Sequence, residues 1–82
     1  MVLEFENSNG KRMVISNPRT LHDAYDDISN FLKGHNYKSY YTRTNLGEKE
    51  WEVDVGSHTE FFYISDIPDF EKEAFYAENK YR

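Results

Sequence analysis

The chain has 82 residues, a formal net charge of −5, 38% hydrophobic and 30% charged residues, and no cysteine. A chain this short buries only about 60–65% of its unfolded surface, so residues 1–82 form a single domain around one core. Without cysteine there is neither a disulfide framework nor a thiolate metal site, and an acidic balance with no basic run excludes the phosphate neutralisation that direct nucleic-acid binding requires.

Residues 2–6 (VLEFE) and 12–16 (RMVIS) are short β-type runs, and Asn9-Gly10 between them supplies the positive-φ residues of a tight hairpin turn. Leu3 and Phe5 are expected to share a face with Met13 and Ile15. In NPRTLHDAYDDISNFLKGHN, Leu21, Ala24, Tyr25, Ile28, Phe31 and Leu32 fall at the i, i+3, i+4, i+7 spacing of one helical stripe. Asn17 or Thr20 is the expected cap, with Pro18 in the opening turn, Asp23 completing a capping box and Gly34 ending the helix.

Residues 37–44, 49–55 and 59–64 are rich in aromatic, β-branched and Thr residues and read as three strands, broken at Asn45-Leu46-Gly47 and Gly56-Ser57-His58. The last segment offers Ser65 or Asp66 as a cap, Pro68 in the first turn, acids at 69, 71 and 73, and Lys80 and Arg82 near the end. Its inward set is expected to be Phe70, Ala74, Ala77 and Tyr81. The order ββαβββα predicts an α+β fold, a small two-layer sandwich in which an antiparallel sheet of about five strands carries two helices on one face. The order of strands within the sheet is left open.

The stretch EKEWEVDVGSH places Glu48, Glu50, Glu52 and Asp54 at every second position. With Trp51, Val53 and Val55 turned to the core, these carboxylates form an outward row with neighbours about 6.5–7 Å apart. The nearby Lys49 has the opposite parity, so the row is expected to lack a local counter-charge. The charge is also uneven along the chain: residues 1–47 hold five acids and six bases, residues 48–82 ten acids and four bases. One reading is a solvated outer face, or an edge strand guarded by charge. The other is a docking surface for a basic partner, with Glu48, Glu50, Glu52, Asp54 and Glu60 as charge contacts and Tyr40 and Phe62 as aromatic anchors. Two phosphates on one DNA strand span a similar length, so such a row fits a groove that ordinarily holds nucleic acid.

Seven Tyr, six Phe and one Trp exceed what one small core easily accepts, and Tyr40-Tyr41 and Phe61-Phe62-Tyr63 put rings on both strand faces. Either the tyrosines straddle the rim, or the second face is an interaction patch or dimer contact using Tyr37, Tyr40, Phe62, Phe75 and Tyr76. Base stacking by Tyr41 with Lys38 and Arg43 would need an electropositive groove, which the acidic balance opposes.

Catalytic sets are weak. Ser57 and His58 are sequence neighbours on a short turn, which does not aim a hydroxyl at an imidazole, and Asp54 belongs to the outer strand face. His22 and Asp26 at i, i+4, with Asp23 beside them, offer a two-point metal site at most, and His35 and His58 lie on separate loops. No calcium loop or glycine-rich phosphate loop is present, so no cofactor, no metal and no enzymatic activity are expected. The N-terminus has acids within its first six residues and no apolar run, unlike a secretory signal, and nothing approaches the roughly 20 apolar residues of a membrane span. A cytoplasmic location is expected.

In size, acidity and small α+β form, the chain resembles the broad class of phage-encoded inhibitors that mimic nucleic acid, anti-CRISPR proteins among them. The resemblance covers composition and carries no residue over. It implies a non-enzymatic inhibitor or modulator that binds another protein through a basic surface. The alternative is an assembly module that homodimerises through the aromatic second face of its sheet.

Overall fold

The computed structural model describes residues 1–39 and 41–79. Its elements follow the predicted order: β1 (Val2–Glu6), β2 (Arg12–Ser16), α1 (Leu21–Gly34), β3 (Arg43–Asn45), β4 (Glu50–Asp54), β5 (Phe61–Ser65) and α2 (Asp69–Asn79). The strands form one antiparallel five-stranded sheet in the order β2-β1-β5-β4-β3. The N-terminal strand therefore sits inside the sheet, paired on one side with its hairpin partner and on the other with β5, which is distant in sequence.

The β1–β2 hairpin turns at Asn7, whose carbonyl accepts from Gly10 N at 2.9 Å and whose amide donates to Lys11 O at 2.9 Å. Only Gly10 takes a positive φ, +80°, so the Asn9-Gly10 pair expected to share that conformation divides the work: the turn runs over residues 7–10 and glycine alone occupies the left-handed position. A bulge opposite Leu3 and Glu4 then shifts the register on β2. Ile15 packs against the core while Met13 stays 55% exposed at the sheet edge, so the four-residue face expected for this hairpin is only partly buried.

Helix α1 forms as its periodicity predicts, with Leu21, Ala24, Ile28 and Leu32 buried. Thr20 caps it, accepting from Asp23 N at 3.0 Å, whereas Asn17 reaches back to Met1 O and Pro18 lies outside the helix. Gly34 is the last helical residue, but the left-handed position falls at Asn36, φ +56°. Asn36 N donates to Lys33 O and Tyr37 N to Leu32 O, the paired bonds of a Schellman cap.

That cap consumes Tyr37 and helps explain why the strand expected over 37–44 shrinks to Arg43–Asn45. Arg43 already pairs with Asp54, the last residue of β4, and the partner strand then turns away at Gly56, φ +88°. Tyr41 and Thr42 therefore stay outside the strand.

The core joins α1 to Leu3 and Phe5 of β1, Trp51 and Val53 of β4, Val55, and Phe62 and Ile64 of β5. Helix α2 packs on the same face through Phe75, whose ring centroid lies 4.9 Å from that of Trp51. Its phase differs from the expected one: Phe70 is 69% exposed, Ala74 and Ala77 are exposed, and Glu71 and Phe75 turn inward instead. Docking the Phe75 ring on Trp51 rotates the helix by about one residue, 100° of turn; Tyr81 lies outside the described residues. The expected caps do not form, since Ser65 ends β5 and Pro68 O takes the first amides, Glu71 N and Lys72 N.

Candidate functional site

Because Leu3, Phe5, Trp51, Val53, Phe62 and Ile64 face the helices, the residues alternating with them face the other way. Among the described residues no helix covers that side. Across it the register aligns Glu4, Tyr63, Glu52 and Asn45 in one row and Glu6, Phe61, Asp54 and Arg43 in the next, with Arg12 and Val14 on the β2 edge. The face holds five carboxylates, Glu4, Glu6, Glu50, Glu52 and Asp54, against two arginines, Arg12 and Arg43.

The arginines change the picture drawn from the acidic strand alone. Arg12 lies with Cζ 3.6 Å from the centroid of the Tyr63 ring and extends past it to Glu50, two strands beyond β1, donating from Nη1 at 2.8 Å and Nη2 at 2.9 Å. Its Nε donates to Glu6 at 3.3 Å. This forked bond is the main reason the Glu50 carboxyl is held below its ordinary range and the guanidinium is pushed up. The Tyr63 phenol is pushed up, first by burial and then by the charges of Glu6 and Glu52.

At the other end of β4, Asp54 is 8% exposed and accepts from Gly56 N at 2.8 Å, Arg43 Nη2 at 3.3 Å and Tyr41 OH at 3.3 Å. It fixes the turn that leaves the strand. Glu52 accepts from neutral donors, Asn45 Nδ2 at 3.1 Å and Tyr63 OH at 3.3 Å. The expectation of an acidic row without a counter-charge is therefore corrected. Glu50 and Asp54 are neutralised by cations that arrive from β2 and β3, while Glu4 and Glu52 have no cationic partner among the described residues.

The remaining predicted contacts scatter. Glu48 is exposed but precedes β4, in the turn. Glu60 precedes β5 and lines a pocket at the end of the sandwich instead of joining the row. Phe62 is fully buried, which removes it as a partner anchor: pairing with Phe5 and Val53 fixes its parity toward the helices and turns Phe61 and Tyr63 outward. Phe75 and Tyr76 pack with tilted rings near Trp51 on the helix side, so the aromatic second face does not gather them. Tyr40 lies outside the described residues. Arg12, which organises the face, was not among the predicted site residues. Its parity opposite Glu6 was readable from the hairpin, but its reach to Glu50 depends on the strand order.

The end pocket, about 760 Å³, has Phe5, Leu32, Val55 and Phe62 as its apolar floor, with Ser57 and His58 at its rim. Ser57 Oγ accepts from Glu60 N at 2.9 Å and donates to Glu60 O at 3.2 Å, so its hydroxyl builds the turn and makes no bond to His58 among the described residues. His22, Asp23 and Asp26 gather with ligand atoms within 4.8 Å, as their spacing implies, but all three are exposed and His22 Nδ1 already lies 3.3 Å from Asp26. Among the described residues no helix is long and apolar enough to cross a membrane. No protein-family model matches the chain, and no curated protein or solved structure matches it.

Proposed function

We propose that the chain is a small cytoplasmic, non-enzymatic binding protein that inhibits or modulates a partner by laying the uncovered sheet face on the partner's basic surface. The observation that carries this reading is the excess of five carboxylates over two arginines on a sheet face that no helix covers among the described residues. The unneutralised contacts are Glu4 and Glu52, with Glu6 sharing Arg12 with Glu50. Glu50 and Asp54 serve chiefly to hold the arginines. Two rows of carboxylates, on β1 and β4, lie two strand spacings or about 9.6 Å apart with about 6.7 Å between neighbours along each strand, which suits a surface built to receive phosphates. This agrees with the resemblance to nucleic-acid mimics. Self-association through the same face would set like charges opposite one another, which disfavours the dimer reading.

The test uses the chain as bait in the native lysate, wild type beside Glu4→Lys/Glu52→Lys, at low and high salt. A specific partner should be retained by the wild type, released by salt and lost with the charge reversal. Equal retention by both baits would overturn the reading.

A further inference from the structure

The sheet has two edges. One, β3, is three residues long; the other, β2, runs five residues and carries Met13 and Val14, 55% and 57% exposed. An antiparallel edge strand leaves the N–H and C=O of every second residue without a sheet partner, and the hairpin decides which ones. Asn7 N donates to Lys11 O, so the next bonded pair of the β1–β2 register is Phe5 with Met13. Met13 therefore turns its backbone groups toward β1, while Arg12 and Val14 turn theirs away from the sheet. The extra residue of the bulge, Ile15, breaks the alternation before Ser16, so Arg12 and Val14 make up the free edge.

That edge is complementary to itself. An antiparallel neighbour has to set outward groups against outward groups. Arg12 against Arg12 would oppose like charges, and Val14 against Val14 would leave Arg12 facing the bulge. A two-fold axis at Met13 instead sets Arg12 against Val14 of the second copy and Val14 against its Arg12, so each outward N–H meets a C=O. Exposed Met13 then meets Met13 in the close kind of antiparallel pair, with Cα atoms about 4.5 Å apart.

The charges agree with this register. The Arg12 guanidinium is already held by Glu6 and Glu50. Lys11, exposed and on the same side of the strand as Met13, falls opposite Ile15 of the second copy, next to the Ser16 whose hydroxyl donates to Asp27 at 2.7 Å. Neither Lys11 nor Asp27 has an ion-pair partner among the described residues, and the register brings the two together across the axis. The helices leave room. Phe31 of α1 lies 4.7 Å from Phe5 between ring centroids, which puts α1 over β1. The two β1 strands would be three strand spacings apart, about 14 Å, against about 8–10 Å for helices in contact.

We propose that the chain forms a two-fold dimer by antiparallel pairing of β2 with β2 about Met13, joining two five-stranded sheets into one continuous sheet. The contact uses the sheet edge and neither face, so it stands or falls separately from the docking reading.

Single-cysteine crosslinking with sedimentation tests it, and the absence of native cysteine keeps the chemistry clean. Under mild oxidation Met13→Cys should give a covalent dimer, because its Cα separation suits a disulfide. Val14→Cys, displaced from its own copy by about 8 Å across the axis, should not. The wild type should sediment as a concentration-dependent dimer. Val14→Pro removes an outward N–H and no bond to β1, so it should stay folded by circular dichroism and weaken dimerisation at least about tenfold, the scale of the two hydrogen bonds lost per dimer. Equal crosslinking at both cysteines, or a folded Val14→Pro that dimerises like the wild type, would overturn the proposal. A wild type that stays monomeric at every concentration would overturn it too, and would leave the edge to a strand of another protein or to solvent.

Discussion

On the helix-covered face of the sheet, Leu3, Phe5, Trp51, Val53, Phe62 and Ile64 are all 5% exposed or less. On the other face the same strands present Glu4, Glu6, Glu50 and Glu52, each only half-buried. The first face is held by packing, which acts wherever apolar atoms meet. The second is held by a few directed bonds, Arg12 reaching from β2 over Tyr63 to Glu50, and Arg43 to Asp54. A charged face is thus not an unstructured one: the arginines fix which carboxylates are structural and which have no cationic partner among the described residues.

Phe61 and Phe62 set the contrast on adjacent positions of β5. Phe62→Ala should cost about 3–5 kcal/mol in urea denaturation, the range for a large aromatic removed from a packed core. Phe61→Ala, on the open side and half-buried, should cost distinctly less. Similar losses at both positions would break the distinction between the faces.

Gly47 tests the hairpin that sets the β4 register. A Cβ there would lie 2.5 Å from the carbonyl oxygen of Glu50, so Gly47→Ala forces the backbone to move. We expect a loss of about 1–3 kcal/mol, the scale of local backbone strain, read as a lower urea midpoint.

Arg12→Met separates charge from stem packing. It removes the forked bond to Glu50 and the cation over Tyr63, and should cost about 1 kcal/mol, because both partners are about one-third exposed. Arg43→Met, whose side chain is 65% exposed, should cost less.

The smallest effect is the pH dependence of the Glu50 pair. Its carboxyl is lowered in the folded state, so its contribution is present above the unfolded glutamate value of about 4.3 and is lost as pH falls through the folded one. Melting temperatures of wild type and Glu50→Gln should differ at neutral pH and converge in acid. A gap that persists in acid would assign the pair's effect to something other than charge.

Much of the fold was legible because its signals are local. The α1 stripe, Thr20 before Asp23 and the alternation through Trp51 and Val53 each lie within a few residues. What was hidden depends on pairing between distant segments. Three consecutive aromatics on β5 carry no parity of their own, and only Phe5 and Val53 on the neighbouring strands decide that Phe62 turns inward. The phase of α2 likewise waits on where Trp51 receives Phe75. The acidic row was visible as a pattern, but its counter-charges come from β2 and β3, so its neutral ends could not be read from residues 48–54.

The central claim is that the uncovered face acts through its residual negative charge, and association kinetics with a captured partner across ionic strength test it most directly. The account predicts that the wild-type association rate falls steeply with salt and that Glu4→Lys/Glu52→Lys both slows association and flattens that dependence. The same salt slope for wild type and variant would contradict it.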